Sequence, residues 1–100
     1  MERVIMEQTF ETPISDEHLS RIAKRMDECL EIRNGAWARS YLSRDRKRMV
    51  CEFLAPDAES VREALRSGDV PFDRVWSSEV FDAADYPEHL ARLERLRAGG

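Results

Sequence analysis

Trp37-Ala-Arg-Ser-Tyr-Leu-Ser-Arg-Asp-Arg-Lys-Arg-Met-Val-Cys-Glu-Phe-Leu54 is the stretch on which the fold of this chain depends. Two alternating runs flank a basic turn, Arg44-Asp45-Arg46-Lys47-Arg48, which is the pattern of a β-hairpin. A symmetric tip sets Leu42 against Met49, Ser40 against Cys51 and Ala38 against Phe53 on one face. The other face then pairs Tyr41 with Val50, Arg39 with Glu52 and Trp37 with Leu54. One face is small and apolar, suited to a core. The other is aromatic and carries an opposite-charge cross-strand pair.

Outward from the hairpin, the flanking segments complete a unit. Upstream, residues 3–10 read as a strand apolar on both faces, with Val4, Met6 and Phe10 alternating and Ile5 between them. Such a strand belongs in the middle of a sheet. Ser15 follows as a helix N-cap with Asp16 and Glu17 in the first turn. Leu19, Ile22, Ala23, Met26 and Leu30 form a helical stripe, and Asn34-Gly35 supplies the stop. Downstream, Asp57 caps a short helix with Ala58, Val61 and Leu65 inward and Gly68 as its end. Arg74 to Phe81 reads as a fourth strand, with Trp76, Ser78 and Val80 on one face and Val75, Ser77, Glu79 and Phe81 on the other.

The order βαββαβ predicts a ferredoxin-like α+β fold over residues 1–82, with a four-stranded antiparallel sheet and two helices on one face. Strands one and three take the centre. Residues 83–100 form a C-terminal amphipathic extension. Pro87 stands at a first helical position, Leu90, Leu93 and Leu96 form an apolar stripe, and Gly99-Gly100 is a frayed end. That helix has to pack on its own sheet or on a partner chain.

One hundred residues, 42 % hydrophobic and 36 % charged, make one globular domain with a real core. A net charge of −4 speaks against a nucleic-acid binder, and the basic run at 44–48 reads as a solvated hairpin tip. No apolar run reaches the roughly 20 residues of a membrane span. The N-terminus lacks a signal-peptide core, so a cytoplasmic location is expected. Cys29 and Cys51 are too few and too far apart for a disulfide framework or a paired zinc motif.

The face of the sheet left bare by the helices is expected to carry Trp37, Tyr41, Val50 and Leu54, joined by Ile5 and by Val75 or Phe81. So apolar a patch calls for a homodimer or for a ligand in the resulting cleft. Glu7, Glu52 and Glu79 beside Arg39 have two readings. They are an ion-pair network fixing register, or a carboxylate cluster that ligates a divalent metal or does acid–base work. Trp37, Arg39 and Tyr41 complete the candidate ligand-binding set. Cys51 is either a core residue or a reactive thiol and metal ligand. His18, in the first turn of the first helix, is the other metal candidate.

Several blocks carry a family resemblance: Ser15-Asp16-Glu17, Trp37-Ala38-Arg39-Ser40-Tyr41, Cys51-Glu52-Phe53-Leu54-Ala55-Pro56-Asp57-Ala58-Glu59-Ser60-Val61-Arg62-Glu63-Ala64, and Val70-Pro71-Phe72-Asp73-Arg74-Val75. Over about residues 3–82 the chain resembles the nickel-binding-protein-like family of small domains of unknown function. The resemblance implies a ferredoxin-like domain that forms dimers, and nickel as a cofactor. The expected function is a small dimeric binding protein for nickel, another divalent metal or a small ligand. Two alternatives stand beside it. One is a cofactor-independent enzyme with Glu52 or Glu7 as base and Arg39 or Tyr41 stabilising charge. The other is a protein-interaction module working through its last helix.

Overall fold

Four strands pair in the order β2-β3-β1-β4 in a computed structural model that describes residues 1–99. The elements are β1 (Glu2–Thr9), α1 (Asp16–Ile32), β2 (Ala36–Leu42), β3 (Arg48–Ala55), α2 (Ala58–Ser67) and β4 (Arg74–Ser78). A short 3-10 turn, Ala83–Asp85, and α3 (Pro87–Gly99) follow. All strand pairs are antiparallel, and β1 and β3 hold the centre of the sheet. This is the βαββαβ ferredoxin-like arrangement with an added C-terminal helix. Gly100, the last residue of the expected extension, lies outside the described residues.

The alternation of β1 and β3 decides which side is core. Val4, Met6 and Gln8 on β1, and Met49, Cys51, Phe53 and Ala55 on β3, are buried. Ile22, Met26 and Leu30 of α1 and Val61, Ala64 and Leu65 of α2 close over them. Ser15 caps α1 by accepting the His18 amide at 3.1 Å, and Asp57 caps α2 by accepting that of Ser60 at 2.7 Å.

Both helices end on a left-handed residue, but glycine does not supply it. Asn34 (φ 59°) and Asp69 (φ 53°) hold the positive φ. Gly35 is needed for space, since a Cβ there would stand 3.2 Å from the Leu54 carbonyl oxygen and 3.3 Å from Leu30 Cδ2.

The hairpin tip is exposed at Arg44, Asp45, Lys47 and Arg48, as expected, but Arg46 is held. Arg46, itself at positive φ, donates from Nε to the Ile14 carbonyl at 2.7 Å and pairs with Asp16 at 2.6 Å. Arg46 thus ties the hairpin to the start of α1.

Two strand readings need correction. β4 ends at Ser78, so Glu79 and Phe81 lie beyond the sheet. Its faces are also reversed from the expectation. Val75 pairs with Met6 and is buried, whereas Trp76 pairs with Ile5 and lies on the bare side. Each face of β4 carries one apolar residue, Val75 or Trp76, so alternation alone could not orient it. The expected extension also differs in its packing: α3 lies mainly against the 3-10 turn before it, and none of its residues is buried.

Candidate functional site

The hairpin register is as expected for Leu42–Met49, Tyr41–Val50, Ser40–Cys51 and Arg39–Glu52, and then breaks. A β-bulge between Trp37 and Arg39 places Trp37 opposite Phe53 and Ala36 opposite Leu54. One extra residue moves a side chain to the other side of the sheet. Trp37 therefore leaves the bare face and stands at the edge of the helix-covered side.

There Trp37 closes a groove of about 290 Å³ between α1 and β2, lined by Leu19, Ile22, Met26, Leu42 and Met49. Its indole Nε1 donates to Ser40 Oγ at 2.9 Å, and that hydroxyl donates to Cys51 Sγ at 2.9 Å. Burial pushes the Cys51 thiol above its ordinary 9.0, with the Ser40 bond opposing more weakly. A neutral thiol at the floor of the sheet suits packing better than metal ligation, which needs the thiolate.

The bare face carries a different set of groups. Glu52 sits at its centre with its side chain only 16 % exposed. Arg3 Nη1 reaches Glu52 Oε2 at 2.6 Å, and Arg39 Nε lies 3.8 Å from Oε1. Hairpin pairing alone gives Arg39 as the partner of Glu52; Arg3 is the closer one. The signal for Arg3 is the antiparallel β1–β3 register, which sets it two residues from the Ile5–Glu52 pair and on the same face, in a manner only long-range pairing reveals.

Glu7, on the same face, accepts the Trp76 indole N–H at 3.0 Å. Around these charges stand Ile5, Tyr41, Val50, Leu54 and Trp76, with Tyr41 65 % and Trp76 44 % exposed. Of the candidate ligand-binding set, Glu7, Arg39, Tyr41 and Glu52 thus share one surface. Trp37 and Glu79 do not belong to it.

The metal candidates are not brought together. His18 is exposed in the first turn of α1, while Cys51 is buried on β3. Among the described residues no three His, Cys, Asp or Glu side chains group as a metal site. Both Glu52 oxygens face guanidinium groups. One protomer's donor set therefore does not fit nickel, which favours imidazole or thiolate donors.

Among the described residues no helix is long and apolar enough to cross a membrane.

Comparison with known proteins gives a family match and matches among solved structures. The model of a family described as nickel responsive protein SCO4226-like matches residues 2–77. The crystal structure of SCO4226 from Streptomyces coelicolor A3(2) superposes with a TM-score of 0.73 at 11 % identity. The superposition covers 80 % of this chain and 99 % of that one. No curated protein matches the chain. At that identity the structural likeness speaks for the fold alone.

Proposed function

The chain belongs to the nickel-responsive SCO4226-like family, and from that premise we propose that it is a non-enzymatic binding protein working as a homodimer through the bare face of its sheet. The observation that supports this is the composition of that face. Ile5, Tyr41, Val50, Leu54 and Trp76 make a continuous apolar surface around a fixed Glu52–Arg3–Arg39 cluster. An apolar surface of that kind is a usual interaction site. A second copy supplies matching apolar area without disturbing the ion pairs, which are satisfied within one protomer.

The nickel link comes from the family's description. Because one protomer does not fit the ion, the metal reading belongs to the assembled pair. There Glu7 of each copy, which makes no ion pair among the described residues, would be the carboxylate available to the ion. Calorimetric titration with nickel, zinc and cobalt tests this part. A heat of binding and a rise in melting temperature are expected with nickel. No heat and no shift with any of the three metals removes it and leaves assembly alone. A cytoplasmic setting agrees with Cys29 and Cys51 both being free thiols.

An enzymatic reading is weaker. A general base must reach a substrate proton, and the Glu52 carboxylate is engaged by Arg3 and Arg39 instead.

A further inference from the structure

Residues 79–90 leave the sheet after β4 and find little to pack on. Phe81 is 85 % exposed, and Val80 and Tyr86 are also exposed. The radius of gyration is 15.4 Å, against about 13 Å for a compact domain of this length. The excess reflects an arm that stands away from the body. The arm also lies beyond residues 2–77, the part that the family shares.

The charges of the arm are one-sided. Glu79, Asp82, Asp85 and Glu88 fall within residues 79–90, and that segment has no Lys or Arg. None of the four acids makes an ion pair among the described residues. The bare sheet face has the opposite bias. Arg3, Arg39, Arg48 and Arg74 stand there against Glu7 and Glu52. Arg3 and Arg39 share Glu52, whereas Arg48 and Arg74 make no ion pair among the described residues. Those two line a groove of about 520 Å³ with Glu7, Thr9, Val50 and Asp73. Both surfaces therefore have apolar groups, and the sheet face holds the cations that the arm lacks.

Geometry favours another chain over the arm's own sheet. The arm departs at the end of β4 where Ser78 pairs with Arg3. Arg74 lies at the opposite end, four residues away or about 13 Å along the strand. In cis the arm would have to double back over that distance. In a pair of sheets whose strands run antiparallel about a two-fold axis, each arm leaves one copy beside the Arg48–Arg74 end of the other.

We infer that residues 79–90 of a second copy dock on the bare sheet face, with their acids on Arg48 and Arg74 and with Val80, Phe81 and Tyr86 against Trp76, Ile5 and Val50. The exchange is reciprocal, so each protomer covers its partner's sheet. This rests on the homodimer reading above and names the part of the partner that makes the contact.

The test uses the full chain with Trp37→Phe, which leaves Trp76 as the only indole. Light scattering gives the mass, and acrylamide quenching of fluorescence gives the exposure of Trp76. The expected result is a dimer with a shielded Trp76. Glu79→Arg with Asp85→Arg should weaken dimerisation about tenfold and expose Trp76. Arg48→Glu with Arg74→Glu should do the same. All four changes together should restore the affinity to within about threefold. Phe81→Ser, which leaves every charge in place, should also weaken the dimer.

A monomer with an exposed Trp76 overturns both the arm and the homodimer reading. A dimer indifferent to Glu79→Arg, Asp85→Arg and Phe81→Ser overturns the arm and leaves the homodimer standing. A monomer whose Trp76 is shielded only while the arm is intact shows docking in cis and overturns the exchange. Failure of the four-fold combination to restore binding overturns the charge pairing.

Discussion

Phe53 and Leu54 are neighbours on β3, yet Phe53 is fully buried beneath the helices while Leu54 is 40 % exposed on the bare face. The same contrast runs along β1, where Val4 and Met6 are buried and Ile5 is half-exposed. On the helix side the apolar groups are covered within one chain. Their burial stabilises the fold itself, at roughly 25 cal/mol per Å² removed from water. On the bare side groups of equal hydrophobicity remain half in water, interleaved with Arg3, Arg39, Glu52 and Glu7. Apolar content alone therefore does not separate core from interaction surface. What separates them is the presence of paired charges among the apolar groups.

Substitutions at adjacent residues should break this comparison most sharply. Phe53→Ala removes a fully buried ring and should cost about 3–5 kcal/mol in a urea unfolding curve. Leu54→Ala should change unfolding by less than about 1 kcal/mol while raising the dimer dissociation constant about tenfold. Equal effects on unfolding would mean that the two faces are not functionally distinct.

Glu52→Gln comes next. It keeps the shape but leaves Arg3 and Arg39 without a counter-charge on a half-covered surface. A loss of about 1–2 kcal/mol in stability is expected, with a further loss in dimer affinity. An unchanged melting temperature would show the cluster to be idle.

Ser15→Ala removes the cap of α1 and should cost about 1 kcal/mol. Because α1 covers only the helix side, the dimer dissociation constant should not move.

The smallest effect concerns pH. The Ser60 backbone amide, followed by the Ser60 side chain, holds the Asp57 carboxyl below its ordinary 3.8. A depressed carboxyl stabilises the fold above its unfolded pKa, and that increment is lost as pH falls through the folded value. Asp57→Asn keeps a capping oxygen and cannot titrate. The stability difference between wild type and variant should hold steady above pH 3.8 and shrink below it. A difference that grows on acidification would contradict the assignment.

The fold was legible in the sequence because its signals were local. The Leu19–Leu30 stripe, the Ser15 and Asp57 caps and the alternation of 39–42 with 49–52 all describe short stretches, and the structure follows them. The sheet side of the candidate site was also legible at Tyr41, Arg39 and Glu52, where register follows from the hairpin tip.

What was not legible depends on pairing between distant residues. The bulge beside Trp37 adds a residue that alternation cannot register, and Ala38 fits either face. Val75 and Trp76 are both apolar, so the orientation of β4 came only with the pairing of Met6 to Val75 and Ile5 to Trp76. Arg3 gave no local hint of its bond to Glu52, 49 residues away. Cys51 drew notice by its rarity, but it is buried on the helix side, while its neighbour Glu52 turns to the bare face and meets Arg3 and Arg39 there.

The central claim is that the bare face is an assembly surface. Its most direct test is light scattering of the full chain at micromolar concentration. The account predicts a mass twice 11.6 kDa, falling toward a single chain when Leu54 and Trp76 are both replaced by polar residues. A single-chain mass of 11.6 kDa for the unmodified protein would contradict it.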